Sequence, residues 1–145
     1  SKKYTFTDVT SHGIGIVCTG DNDLEFNSVI LPKNTQVPAK FTNEYCTTVP
    51  FQEKLYIQVT QGEEEDLRYV TVIGTAEIEI MPREKIVGIE VTISCDENSI
   101  IHVRVYDMDL QRDLGEMHID RVSNLTEEEI SKNKQRISKL DISGE

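Results

Sequence analysis

The stretch KLYIQVTQ, residues 54–61, decides the fold class of this chain. Its aliphatic side chains occupy every second position, at Leu55, Ile57 and Val59, with polar or aromatic side chains between them. Successive side chains of a β-strand point to opposite faces of the sheet, so this pattern predicts a strand with one apolar face. Four acidic residues, 63–66, follow and end the strand.

The same alternation recurs through most of the chain. Residues 89–94 repeat it, a turn is predicted at 96–99, and residues 101–105 return with the same period, which is typical of a β-hairpin. Shorter alternating runs predict four further strands, at 13–18, 28–31, 70–80 and 115–120. We therefore predict a mainly β fold, an antiparallel β-sandwich.

The pattern changes towards the end of the sequence. Thr126 and Glu129 form a capping box, and Leu125 and Ile130 occupy the two positions of a hydrophobic staple. Glutamates in the first turn also favour the positive end of a helix dipole. We predict a C-terminal helix that begins near Thr126.

The charge of the chain argues against one class of partner. There are 26 acidic residues against 15 basic ones, a net charge of -11, which repels the phosphate backbone of a nucleic acid. The same charge would favour polypeptides with basic residues, and it would equally serve solubility alone. No stretch approaches the roughly 18 apolar residues of a membrane helix, so we predict no contact with nucleic acid or membrane.

The cysteines indicate a reducing compartment. Cys18, Cys46 and Cys95 are odd in number and widely spaced, without the C-x-x-C pair of a zinc or redox site. Free thiols fit the cytoplasm, and the first residues show no secretory signal pattern. We predict a cytoplasmic protein.

No catalytic motif stands out. His12, His102 and His118 lie far apart in the sequence, and there is no glycine-rich phosphate loop, nucleophile elbow or zinc-protease motif. His102 falls on the polar side of an alternating strand, which favours a solvated or cross-strand histidine over a ligand. We expect this chain to be no enzyme and to hold no metal or cofactor.

Short motifs in one order along the chain resemble a known family, the heat-shock 70 kDa (DnaK-like) chaperones, in their substrate-binding domain. The motifs are DVT at 8–10, IGI at 14–16, KNT at 33–35, VPAK at 37–40, LYIQVTQGE at 55–63, GIEVT at 88–92, IIHV at 100–103 and LTEEEI at 125–130. The resemblance extends from residue 8 to about residue 137.

The resemblance implies a chaperone domain that binds extended hydrophobic segments of unfolded polypeptides without covalent chemistry. It divides the chain into an interdomain linker and lead-in at 1–10, a peptide-binding sandwich at 11–122 and the start of a helical lid at 123–145. ATP and magnesium would be bound by an N-terminal ATPase domain, which is not among these 145 residues. A J-domain co-chaperone and a nucleotide exchange factor are implied as partners of the parent protein.

Carried over position by position, the resemblance also implies a peptide-binding cleft. Its lining would be Ile16, Cys18, Thr19, Tyr45, Thr48, Leu55, Ile57 and Ile89. Leu55 would form the deep central pocket, and Thr19 and Thr48 would be the two sides of an arch over the peptide backbone. Cys18 would be a small apolar contact and not a reactive thiol. Arg83 lies near the position that latches the lid.

The residues alone leave alternatives open. Alternating aliphatic residues usually pack a sandwich core, and without the resemblance Leu55, Ile57 and Ile89 would be assigned to it. Tyr45 fits a cleft rim and a loop anchor equally well. The alternative function is a β-sandwich interaction module that docks one dedicated partner.

Overall fold

The computed structural model describes residues 8–120, which form eight strands in two antiparallel sheets. In chain order the strands are β1 (Ile14–Thr19), β2 (Glu25–Leu31), β3 (Ala39–Cys46), β4 (Lys54–Gln61), β5 (Thr71–Glu79), β6 (Gly88–Cys95), β7 (Ile100–Asp107) and β8 (Arg112–Asp120). The first sheet has the order β2-β1-β4-β5, and the second has the order β3-β6-β7-β8. The predicted mainly β, antiparallel sandwich is confirmed.

The core lies between the sheets and follows the alternation in the sequence. Strand β4 has the predicted bounds, Lys54–Gln61, and its aliphatic side chains are all buried. Strands β6 and β7 pair as the predicted hairpin, with Ile93 opposite Val103. Burying one such side chain is worth roughly 1.5–3 kcal/mol, so the two facing apolar surfaces stabilise the sandwich.

Strand β3 was not predicted, and two other strands begin three residues earlier than predicted. Asn43 of β3 pairs with buried Val91 of β6. A polar residue thus occupies a position of β3 where the alternating pattern would have an aliphatic one. Strands β2 and β8 begin at Glu25 and Arg112, whereas the sequence predicts starts at residues 28 and 115. Both strands begin with polar residues, so the alternation of aliphatic and polar residues does not mark where they start.

One end of the first sheet is closed by tight backbone contacts and a buried amide. A Cβ atom on Gly15 would lie 2.0 Å from the carbonyl oxygen of Ser28, so only glycine fits at this close approach of β1 and β2. Buried Asn27 donates to the carbonyl of Gly62 at 3.2 Å and accepts the hydroxyl of Thr60. These contacts hold β1, β2 and β4 together at this end.

Part of the predicted lead-in is attached to the sandwich. The amide of Thr10 donates to the carbonyl of Thr35 at 2.9 Å, and its hydroxyl donates to the carbonyl of Pro32 at 2.8 Å. The helix predicted near Thr126, like residues 1–7 and the whole segment 123–145, lies outside the described residues. None of the helical structure within residues 8–120 is long and apolar enough to cross a membrane.

The fold brings two of the three histidines together. His102 on β7 is paired with His118 on β8, and their ring centroids lie 4.6 Å apart. His102 thus lies across from a histidine of the neighbouring strand, and the expectation that it is no ligand stays a prediction. The distance between these histidines in the sequence is a poor guide to their distance in space, because a hairpin joins the two strands.

Candidate functional site

A cleft opens where β1 and β4 separate. The ladder between them has three residue pairs, and the last is Ile16 opposite Val59. Beyond this point β1 stays paired with β2 as far as Thr19, and β4 stays paired with β5 as far as Lys54. The space between the two strands is a cleft of about 440 Å³, whose walls are completed by residues of β3 and β6 from the second sheet.

All eight residues that the resemblance assigns to a peptide-binding cleft line this one space. They are Ile16, Cys18, Thr19, Tyr45, Thr48, Leu55, Ile57 and Ile89. They come from β1, β3, β4, β6 and the loop after β3, so the two sheets together position them. Arg83 is not among the lining residues. That these side chains bind a peptide stays a prediction.

The floor of the cleft is apolar and belongs to the core. Leu55, Ile57 and Ile89 expose 8%, 6% and 3% of their surface, and each packs in the main hydrophobic cluster while also lining the cleft. Core and cleft are therefore not alternatives for these residues. A side chain that enters the cleft would contact the top of the core directly.

Tyr45 connects the two sheets at the wall of the cleft. Its hydroxyl lies 2.9 Å from the Oγ of Ser28 on β2, and Asn43 Nδ2 donates to it at 3.3 Å. Burial raises the pKa of Tyr45, so its hydroxyl stays neutral at physiological pH. Tyr45 therefore lines the cleft and joins two strands, and its contact with a bound peptide stays a prediction.

The loop after β3 forms a second, well-braced wall. Thr48 donates its amide and its hydroxyl to Gln52 Oε1 at 2.9 and 3.2 Å, and Gln52 Nε2 donates to the carbonyl of Lys54 at 2.7 Å. Buried Thr47 donates its amide to the carbonyl of Val87 and accepts the amide of Val87 on its hydroxyl, both at 2.9 Å. This part of the rim is held in place before any ligand arrives.

Cys18 is half-buried in the cleft. Burial raises the pKa of its thiol to about 11, so the thiol stays protonated and is a weak nucleophile at neutral pH. This supports its predicted role as an apolar contact. All three cysteines are free thiols.

The two predicted arch residues, Thr19 and Thr48, are exposed and line the cleft. That they cover a peptide backbone stays a prediction.

Where β1 and β4 separate, part of each strand has no neighbour across the cleft. Within the ladders of residues 8–120, residues 17–19 have no pairing partner on β4, and residues 54–58 have none on β1. An unpaired strand edge presents a row of N–H donors and C=O acceptors. An extended polypeptide carries the complementary groups at the spacing of a strand, so this chemistry suits such a ligand.

Arg83 lies outside the cleft in a buried ion pair. Its guanidinium donates to both carboxylate oxygens of Asp107, at 3.0 and 2.7 Å, and to Asp109 at 3.0 Å. Burial alone would raise the pKa of Asp107, but the hydrogen bonds from Arg83 and two backbone amides outweigh it and lower the pKa. The carbonyl of Arg83 also accepts the amide of Phe51 at 2.7 Å. Its predicted contact with a lid concerns residues outside the described range and stays a prediction.

Sequence reasoning missed other residues of the cleft and the partner of Arg83. The additional lining residues are Val17, Glu25, Phe26, Cys46, Thr47, Gln52, Lys54, Tyr56, Gln58 and Val91. Val91 follows Ile89 by two positions, so the strand period could have found it. Asp107 continues the inward alternation of β7 after Val105, and an acidic residue there is a signal of a buried pair. No pattern marks Gln52.

Known proteins are similar to this chain over nearly its whole length. The family described as Hsp70 protein matches residues 1–143. The chain is similar to chaperone protein DnaK of Mycoplasmopsis synoviae (strain 53), with 34% identity over 128 residues, 86% of this chain and 20% of that protein. It is also similar to chaperone protein DnaK of Metamycoplasma hominis, with 32% identity over 127 residues, 86% of this chain and 20% of that protein. Chaperone protein dnaK of Guillardia theta is 26% identical over 153 residues, 97% of this chain and 24% of that protein. The chain thus spans about a fifth to a quarter of the length of these relatives.

Proposed function

The chain belongs to the Hsp70 family, and from this premise we propose that its cleft binds extended, apolar segments of unfolded polypeptides without covalent chemistry. One observation carries the proposal. An apolar floor and two unpaired strand edges meet in the same cleft, so both the side chains and the backbone of an extended ligand find complementary groups there.

The floor supports a preference for apolar side chains. Leu55 and Ile57 line the cleft from β4, and Ile16 lines it from β1. A leucine-sized ligand side chain that is buried against them gains roughly 1.5–3 kcal/mol. A charged side chain would lose hydration in the same place without a partner, so the floor discriminates by polarity and not by sequence.

The strand edges support tolerance towards many sequences. Backbone hydrogen bonds within residues 17–19 and 55–58 would be made to peptide groups that every polypeptide has. The volume of about 440 Å³ lies in the lower part of the range of roughly 300–1,000 Å³ for ligand pockets. It suits a short segment and is too small for a folded domain.

Regulation and partners of the parent protein belong to the same proposal. ATP and magnesium would act through an N-terminal ATPase domain, and a J-domain co-chaperone and a nucleotide exchange factor would act on the parent. We propose no catalysis by this chain, and the protonated thiol of Cys18 in the cleft is in keeping with that. Residence in the cytoplasm remains a prediction from the free cysteines.

Peptide arrays combined with amide chemical-shift mapping test the proposal. Short overlapping peptides from several unrelated proteins should give many bound segments, and the bound segments should share apolar centres. A matched peptide whose central leucine is replaced by aspartate serves as the control. Shifts of amide signals should concentrate at residues 17–19 and 54–58. Binding of one sequence alone would favour a module with one dedicated partner, and shifts confined to other surfaces would exclude the cleft as the site.

A further inference from the structure

The outer face of the second sheet carries two histidines and a glutamate in one cluster. His102 and His118 are opposite each other in the register of β7 and β8, with ring centroids 4.6 Å apart and planes at 84°. Glu116 precedes His118 by two residues and therefore shares its face. The potential ligand atoms of the three side chains all lie within 4.8 Å of one another.

A fourth side chain orients one of the histidines. Asp96 Oδ2 lies 3.0 Å from His102 Nε2, and Asp96 Oδ1 accepts the amides of Asn98 and Ile100 at 2.8 and 3.0 Å. Backbone amides of the hairpin turn thus fix the carboxylate of Asp96, and this carboxylate in turn fixes the ring of His102. With Nε2 on Asp96, His102 would offer Nδ1 to an ion, and metal-bound histidines commonly have one ring nitrogen on a carboxylate and the other on the ion.

One basic side chain faces the cluster. Arg104 on β7 lies opposite Glu116 in the register of β8, and its guanidinium is held by Asp113 through hydrogen bonds of 2.9 and 2.8 Å. Glu116 and His118 are exposed and His102 is half-buried, so the first two side chains can turn without disturbing the core. The net charge of -11 adds a general attraction for cations.

We propose that His102, Glu116 and His118 bind a divalent transition metal ion, with zinc as the best-fitting ion and Asp96 as the carboxylate that orients His102. Two imidazoles, one carboxylate and an open position are a donor set typical of such ions. Two nitrogen ligands of a tetrahedral zinc lie roughly 3.3 Å apart, given Zn–N distances of about 2.0–2.1 Å. The donors must therefore approach by about 1.5 Å at most, which rotation of the two exposed side chains supplies. The bound ion would cross-link β7 to the edge strand β8.

Calorimetric titration of the untagged 145-residue chain with zinc chloride tests this site. We expect one zinc per chain and a higher melting temperature with zinc, because the ion binds the folded state. His102→Asn and His118→Asn should each weaken zinc binding at least about tenfold, since even orienting residues contribute roughly 10- to 100-fold. Asp96→Asn keeps an oxygen that can accept the amides of the turn. This variant should weaken zinc binding by roughly 10- to 100-fold, as expected for a residue that only orients a ligand.

His12→Asn is the matched control. His12 also lies near a carboxylate, with Nδ1 3.7 Å from Glu63, but it does not belong to the cluster. Zinc affinity should not change in this variant. Glu116→Gln adds a test at an exposed position, where zinc binding should weaken while the zinc-free melt stays the same.

Two results would overturn the proposal. One is the absence of saturable zinc binding to the native chain. The other is undiminished binding to the double variant of His102 and His118, which would assign the zinc to thiols or surface carboxylates. The site lies on the outer face of the second sheet, whose inner face contributes to the cleft, so either result leaves the proposed function untouched.

Discussion

Enlarging Leu55 to phenylalanine should block the cleft and leave the fold intact. Leu55 lines the cleft, where a ring can extend into about 440 Å³ of open space. Val59 lies on the same face of the same strand, exposes 0% of its surface and does not line the cleft. A ring at position 59 would overpack the core, which costs roughly 1–3 kcal/mol.

The expected loss of affinity follows from the side chain that the ring displaces. A leucine at the centre of a bound peptide gains roughly 1.5–3 kcal/mol from burial. Each 1.4 kcal/mol is about tenfold in Kd, so Leu55→Phe should weaken binding by roughly 10- to 150-fold. Leu55→Lys should weaken it as well, because its stem can follow the cleft to water and place a charge where the peptide side chain would lie.

Fluorescence anisotropy with a labelled, leucine-centred peptide measures the affinity, and thermal melts of the same samples measure the fold. Leu55→Phe should melt within a few degrees of the native chain. Val59→Phe should lose about 3–12 °C, at roughly 3–4 °C per kcal/mol for a domain of this size. Its folded fraction should keep the native peptide affinity.

Two outcomes would refute the reasoning. Unchanged affinity in folded Leu55→Phe and Leu55→Lys would show that the ligand does not occupy this part of the cleft. A Leu55→Phe melt as low as that of Val59→Phe would show that Leu55 has no more room than an ordinary core residue.

Two further predictions concern charge. With a net charge of -11, the chain should bind peptides with basic flanks more tightly than acidic-flanked ones at low salt. The preference should fade as salt shortens the Debye length to about 10 Å at 0.1 M, and equal affinities at low salt would place the acidic surface away from the cleft. Arg83→Leu should destabilise the chain by about 3–5 kcal/mol in urea unfolding, because it leaves buried Asp107 unpaired, and added Asp107→Asn should restore part of the loss. Since the pKa of Asp107 is lowered in the folded state, the stabilisation by the pair is complete above the ordinary aspartate pKa of about 3.9. It is lost progressively as pH falls from there through the lowered pKa of the folded state. A destabilisation by Arg83→Leu that stays constant down to pH 3 would contradict this account.

The sequence predicts those parts of the fold in which side-chain alternation is strong. Strand β4 was predicted with its observed bounds because aliphatic residues occupy every second position from Leu55 to Val59, and the acidic run at 63–66 marks its end. Strand β3 was missed because polar Asn43 lies on the face that elsewhere is aliphatic. The separation of β1 from β4 could not be predicted, because alternation describes the faces of a strand and contains no information about its neighbours.

The candidate site could be predicted only in part, for the same reason. Alternation alone assigns Leu55 and Ile89 to a core, and only the family resemblance assigned them to a cleft. The pairs Arg83 with Asp107 and His102 with His118 depend on which strands and loops meet, and the sequence spacing of these residues does not contain that information.

Strand β4 changes its character along its length, and this affects which molecules can reach it. Over residues 59–61 it is an interior strand with neighbours on both sides, and over residues 54–58 its side towards β1 is an edge. An exposed edge on a convex surface invites the edges of other folded sheets and leads to aggregation. Here the edge lies in a cleft that Tyr45 and Thr48 also line. Under the proposed function, a single extended strand would fit such a cleft and the rim of a folded sheet would not, so the shape of the domain would itself favour unfolded chains over folded ones.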